Sequence, residues 1–291
     1  MNEILVGIDG SEVSLHAVKW AAREAALREA PLVVANVLQR WLFEMPEHAR
    51  HAEFGRWARE DAARMLDEAA AVARKAAREV TVTTRLLAGD ARTALLEASA
   101  GATMLVVGGR GEGGFVGLLV GSIAHGVAGH SHVPVVVVQS PVADPGSEVV
   151  VGVDGSPSSR AAAERAFAEA QLRGVPVRVV YSWKRYDGIV PDVWIYGTAP
   201  QLAHEVHVDE DAARKILLDA IADAVAEFPD VKVIEQLEVG HPTDVLVHAA
   251  KSADLLVVGR RGGGDFPHIR IGSVSHGVLH HTPCPAMIVP H

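Results

Sequence analysis

The sequence predicts an α/β protein of two tandem doubly wound, Rossmann-like domains, each with a five-stranded, mostly parallel sheet flanked by helices. Three observations carry this prediction. The chain repeats itself, short runs apolar on both faces alternate with helical segments, and each copy puts a glycine-rich loop directly after a strand. At 291 residues, 49% hydrophobic and 22% charged, the chain is globular and long enough to bury two cores of ordinary size.

The repeat comes first because it sets the frame for everything else. ILVGIDGS at residues 4–11 returns as VVVGVDGS at residues 149–156. The same gap-free offset of 145, from Ser11 to Ser156, pairs Glu24 with Glu169, Leu27 with Leu172 and Pro31 with Pro176. Later in each copy the offset is 151, from Gly108 to Gly259. A unit of this length is a duplicated domain and not a solenoid repeat. Domains at residues 1–140 and 147–291 follow, joined by the Pro-, Gly- and Ser-bearing stretch QSPVADPGSE at 139–148.

In order along the first copy, an apolar strand at 4–8 ends in Asp-Gly-Ser and opens an alanine-rich helix over about 14–30, its charges on one stripe. VVANV is the second strand. An irregular insert from about residue 41 precedes an Arg/Glu/Ala helix over about 59–79, then a third strand near TVTTRLL and a short helix over about 93–100. The fourth strand, MLVVG, runs into the glycine loop, and a helix and VPVVVV close the copy. Strands apolar on both faces that alternate with helices imply a parallel sheet covered on both sides. Such sheets bind ligands beyond the carboxyl ends of their strands, where the strand order reverses.

That is where the glycines fall. Gly108, Gly111, Gly113, Gly114, Gly117 and Gly121 lead to Ser122 and Ile123; Gly259, Gly262, Gly264 and Gly272 lead to Ser273 and Val274. Glycine leaves room for an anion to approach backbone amides. A Gly-Ser helix start adds free N–H groups and the positive end of a helix dipole. Arg110 and Arg261, inside the loops, can add charge-assisted hydrogen bonds to phosphate. One such loop is weak evidence. The spacing G-x2-G-x9-G-S occurring twice in one chain is strong.

With these residues the chain resembles the universal stress protein family in its tandem form. The family's G-x2-G-x9-G-(S/T) motif is met by Gly108, Gly111, Gly121 and Ser122, and again by Gly259, Gly262, Gly272 and Ser273. Its first-strand V-G-x-D is met by Gly7 and Asp9, then by Gly152 and Asp154. The resemblance implies ATP as cofactor, accompanied by Mg2+. The adenosine would lie at Asp9 and Val37, with Asp154 and Ser182 as second-copy equivalents, and the phosphates at the loops. It also implies that the two domains pair through their last strands about a pseudo-two-fold axis. The second copy departs from the first: Asp265, His268 and Arg270 stand where Gly114, Gly117 and Leu119 do. A carboxylate near phosphate costs on the order of 1 kcal/mol even in water, so the second site is expected to bind more weakly.

Other classes are disfavoured. A net charge of −9 and a pI near 5.9 argue against nucleic acid or an anionic membrane as the main partner. No apolar run approaches the ~20 residues of a membrane span, and MNEILVGIDGS has no basic stretch ahead of an apolar one. A cytoplasmic protein is expected. The lone cysteine, Cys284, permits no intrachain disulfide and is read as a core residue. No metal is expected either. His125, His130, His276, His280 and His281 have no carboxylate or thiol to complete a site, and His204 and His207 are one residue short of HExxH.

The sequence contains neither GxxxxGK[ST] nor GxSxG, so a regulatory nucleotide-binding module is expected rather than a fast enzyme. Slow ATP hydrolysis or nucleotide transfer is the alternative, with Asp265 and His268 as its candidate groups, and an empty-pocket scaffold is the third reading. A regulatory protein partner and a homodimer are expected associations. The aromatics Trp41, Phe43 and Trp57, with Trp183, Tyr186, Trp194 and Tyr196, are read as cover for a sheet edge or a domain contact. The alternative is a stacking wall over the adenine.

Overall fold

The structure, a computed structural model, describes residues 3–46, 51–109, 120–139, 147–183, 210–263 and 270–290. The first half runs β1 (Ile4–Ile8), α1 (Glu12–Leu27), β2 (Leu32–Leu38), α2 (Arg40–Phe43), α3 (Ala52–Ala76), β3 (Val82–Ala88), α4 (Ala91–Ala98), β4 (Met104–Gly108), α5 (Ser122–His130) and β5 (Val135–Val138). The second runs β6 (Val149–Gly152), α6 (Pro157–Arg173), β7 (Val177–Trp183), α7 (Glu210–Glu227), β8 (Val233–Val239), α8 (Pro242–Ala249), β9 (Leu255–Gly259), α9 (Ser273–His281) and β10 (Ala286–Val289).

Local chemistry accounts for the element boundaries. Ser11 and Ser156 cap α1 and α6 by accepting the amides of Ser14 and Ser159, and Asp90 does the same for α4 through Thr93. Gly174, at φ 65°, ends α6 in the left-handed region. The helix expected to start near Arg59 starts at Ala52. Its buried face, Ala52, Gly55, Ala58, Ala62, Leu66, Ala69 and Ala73, has helical spacing but mostly alanine and glycine, so its early turns carry little hydrophobic signal.

The ten strands form one sheet in the order β3-β2-β1-β4-β5-β10-β9-β6-β7-β8. The two five-stranded sheets are therefore halves of a single continuous one. Every neighbouring pair is parallel except β5 and β10, which run antiparallel with Val136 opposite Met287. Both strands are fully buried, and their pairing removes two apolar edges that would otherwise be exposed. Antiparallel pairing of repeat-equivalent strands is what a two-fold relation between the halves requires. One face of the sheet packs α1, α3, α6 and α7, around Val18, Leu66, Phe167 and Leu217. The other packs α4, α5, α8 and α9, around Leu95, Val127, Leu246 and Leu279. Cys284 is buried there, and burial pushes its thiol up to about 11.

Side chains on both faces tie the halves together. On the first, Glu24 of α1 and Arg28 at its C-cap meet Glu169 and Arg173 of α6. Arg28 bonds Glu169 at 2.6 Å and Glu24 at 2.5 Å, Arg173 bonds Glu24 at 2.6 Å and also bonds Glu169, and Arg165 lies 2.9 Å from Glu169. Both glutamates are buried. Burial alone would raise the Glu169 carboxyl, but the guanidiniums of Arg173, Arg28 and Arg165 hold it below the usual range.

On the opposite face imidazoles meet. The rings of His125 and His276, repeat equivalents, are 5.2 Å apart, and those of His276 and His280 are 4.4 Å apart. Burial, then His276 and His130, lower the His125 pKa; burial, then His276, His281 and His125, lower that of His280. The unfolded chain therefore takes up more protons as pH falls below the usual 6.5, and stability falls with it. The melting temperature should be lower at about pH 5.5 than at about pH 7.5. The double variant His125→Asn/His280→Asn should narrow the gap, and an unchanged gap would assign the loss elsewhere. Asp90, Asp154 and Glu169, whose pKa values are held down, lose their contribution only below about pH 4.

Candidate functional site

At the carboxyl end of the sheet each half opens a cavity where the strand order reverses, between β1 and β4 and between β6 and β9. The first measures about 720 Å³ and the second about 450 Å³, both within the range of small-molecule sites.

Each cavity is lined by a carboxylate fixed by its own turn. Beyond β1, Gly10 adopts φ 89°, and Asp9 accepts the Ser11 amide at 3.1 Å and the Ser11 hydroxyl at 2.6 Å. Beyond β6, Gly155 adopts φ 80°, and Asp154 accepts the Ser156 amide at 3.0 Å with one oxygen and the Gly263 amide at 3.1 Å with the other. Burial opposes ionisation of Asp154, yet hydrogen bonds from Ser156, Ser159 and Gly263 keep its carboxyl below the usual range. The capping and cavity-facing readings of the Asp-Gly-Ser turns thus hold together: the serine caps the helix, while the aspartate braces the turn and lines the cavity.

The glycines line the same cavities. The loop after β4 is pinched at its base by Gly121 N–H donating to Gly109 O at 2.7 Å, and that after β9 by Gly272 N–H donating to Arg260 O at 2.8 Å. Directly beyond each pinch a helix begins, α5 at Ser122 and α9 at Ser273, and neither has a side-chain cap. This differs from α1, α4 and α6. α2, α3 and α8 also start without one; the first residues of α5 and α9 line the cavities, where first-turn amides suit an anion. The strand glycines are required by close approach: a Cβ on Gly259 would lie 2.7 Å from the Ser158 carbonyl oxygen, and one on Gly108 would lie 3.1 Å from the Ser14 nitrogen.

The sequence-derived residues converge. Gly7, Asp9, Val37, Gly108, Gly121, Ser122 and Ile123 line the first cavity; Gly152, Asp154, Ser182, Gly259, Arg261, Gly262, Gly272, Ser273 and Val274 line the second. Arg110, Gly111, Gly113, Gly114, Gly117, Gly264, Asp265 and His268 lie outside the described residues, as do Tyr186, Trp194, Tyr196, His204 and His207. Several lining residues were missed. Asn36 anchors β2 to β1 by donating to Ile8 O at 3.0 Å, and its interruption of an apolar run was a readable signal. Leu95 and Leu246 face Gly7 and Gly152 as apolar walls. Phe54 and Asp61 reach the first cavity from α3, beside Trp57, for which a stacking wall is the alternative reading of the sequence. Trp57 thus faces the cavity and not only an edge, whereas Trp183 stacks on Tyr181 at 6.2 Å along β7.

Among the described residues, no three His, Cys, Asp or Glu side chains gather to hold a metal, and no helix is long and apolar enough to cross a membrane.

The profile of the universal stress protein family matches the chain twice, over residues 1–139 and 147–290. A universal stress protein of Mycolicibacterium smegmatis is 34% identical over 293 residues, covering 98% of this chain and 96% of that protein. One of Mycobacterium tuberculosis is 33% identical over 302 residues, covering 98% and 94%. Among solved structures, a universal stress protein of Archaeoglobus fulgidus superposes with a TM-score of 0.73 at 20% identity, covering 99% of this chain and 98% of that one.

Proposed function

This chain belongs to the universal stress protein family, and from that premise we propose that it is a nucleotide-binding regulatory protein holding one ATP in each half. The observation that carries the reading is the same in both cavities: each is lined by a braced carboxylate and by a helix start without a side-chain cap, beside a glycine loop pinched at its base. A carboxylate accepts from ribose hydroxyls, whereas amide donors and a helix dipole suit phosphate. Val37 and Leu95, or Val180 and Leu246, supply apolar walls between them.

In this reading Asp9 and Val37, and Asp154 and Ser182, sit at the nucleoside. Gly121, Ser122 and Ile123, and Gly272, Ser273 and Val274, offer the phosphate-binding amides, with Arg261 adding charge. Arg110, Gly111, Gly113, Gly114 and Gly264 belong to the same loops. Mg2+ would enter with the triphosphate, held by phosphate oxygens and water. Occupancy would then be read by a partner protein or a second copy of the chain. In the second half Asp154 already occupies the Gly263 amide, which together with Asp265 supports weaker binding there.

The protein purified without added nucleotide, denatured and assayed for adenine nucleotides, should release ATP at up to one per cavity. Gly111→Ala and Gly262→Ala should each remove one site. In parallel, Mg-ATP at about 100 times its dissociation constant should stabilise the fold by roughly 2.7 kcal/mol per site. No released nucleotide and no thermal shift would overturn the reading.

A further inference from the structure

The first cavity has a wall the second lacks among the described residues. Trp57 and Phe54, on the exposed side of α3, line it. Their rings stack 5.8 Å apart at 23°, and Trp41 from α2 stacks on the far side of Phe54 at 6.2 Å and 20°. Three aromatic rings in line, 55%, 48% and 57% exposed in chain order, leave a large apolar surface uncovered beside a cavity that already holds polar groups. No described aromatic lines the second cavity.

The ladder is held in place. Arg59 donates to the carbonyls of Leu42 at 3.0 Å and Phe43 at 3.2 Å, clamping α2 onto α3. Gly55 lets Met45 close against the helix, since a Cβ there would lie 2.9 Å from the Met45 Cβ. The Trp41 indole N–H is satisfied by Gln39 at 2.6 Å. These contacts pre-organise the ring faces, so a ligand pays little ordering cost to use them.

We propose that Trp57, backed by Phe54 and Trp41, is the base-stacking residue of the first cavity, so that this half recognises its ligand as an aromatic-base nucleotide through ring overlap. Edge contacts are compatible with this: Asn36, a lining amide side chain, gives one N–H to the Ile8 carbonyl and keeps its second N–H and its oxygen. Trp57 and Phe54 line the same cavity as Val37 and Leu38 at the end of β2 and Gly121 and Ser122 at the start of α5. The proposal rests on the nucleotide reading above.

The test uses the full chain carrying Gly262→Ala, which confines binding to the first half, with ATP and inorganic tripolyphosphate as probes. ATP should quench tryptophan fluorescence. Trp57→Ala should abolish most of that quench and weaken ATP about tenfold or more. It should leave tripolyphosphate affinity unchanged, and Trp57→Phe should recover most of the ATP affinity. Trp57 is more than half exposed, so these variants should fold. If Trp57→Ala leaves ATP affinity unchanged, weakens both probes equally or instead shifts the oligomeric state, stacking is overturned while the nucleotide reading stands. If ATP fails to bind the parent chain at all, both fall.

Discussion

Replacing Glu169 with alanine is expected to lower the unfolding free energy by about 3–5 kcal/mol, the largest loss from any single charged residue described above. The carboxylate is fully buried and receives Arg28 from the first half, with Arg165 and Arg173 from its own helix. Removing it leaves three guanidiniums with only Glu24 between them, in a region where unpaired charge is poorly solvated. Glu169→Gln should be less severe because the amide oxygen still accepts a hydrogen bond. Arg214→Ala is the control. Its pair with Glu235 is solvent-exposed at 56% and 34%, so losing it should cost far less than losing Glu169. Urea unfolding of the three variants checks the ordering, and a Glu169→Ala loss no larger than that of Arg214→Ala would remove the network from the account of how the halves hold together.

The second large effect is expected from Gly259→Ala. The added Cβ would sit 2.7 Å from the Ser158 carbonyl oxygen and 2.9 Å from its carbon. These are backbone atoms in the first turn of α6, so no rotamer change relieves the clash. A cost of about 1–3 kcal/mol follows, and the shift of α6 or β9 should remove nucleotide from the second cavity while the first stays occupied. The equivalent Gly108→Ala brings its Cβ no closer than 3.1 Å to Ser14 and should be milder on both counts. Calorimetric titration with Mg-ATP beside thermal unfolding separates the two effects. Equal penalties at Gly108 and Gly259 would show that the helix-to-strand approach is not what these glycines serve.

Most of what positions the cavities is local and was legible in the residues. The repeat offsets, the apolar strands, the Asp-Gly-Ser turns and the twice-repeated glycine spacing led to both cavities, and each site residue within the described structure lines the one expected. A strand end, a glycine turn and an uncapped helix start are properties of a few consecutive residues, so their chemistry can be read before the chain is folded. The aromatic ladder was half legible. Trp41 and Trp57 stood out, but Phe54 entered only when α3 was found to begin at Ala52, because alanine-faced turns give little periodic contrast.

The sequence by itself determined a duplicated α/β chain, with a glycine-rich stretch and an Asp-Gly-Ser turn in each copy. The tertiary structure alone decided that the two sheets are one, joined at β5 and β10, that Glu24 and Glu169 are buried partners of arginines from both halves, and that His125 meets His276. In the first helix and its C-cap, Glu24 and Arg28 read as part of a charged stripe, and only a helix from the other half, far away in sequence, takes water from them. Burial and partnership are properties of what packs on a residue from elsewhere in the chain. A pattern confined to one segment cannot contain them.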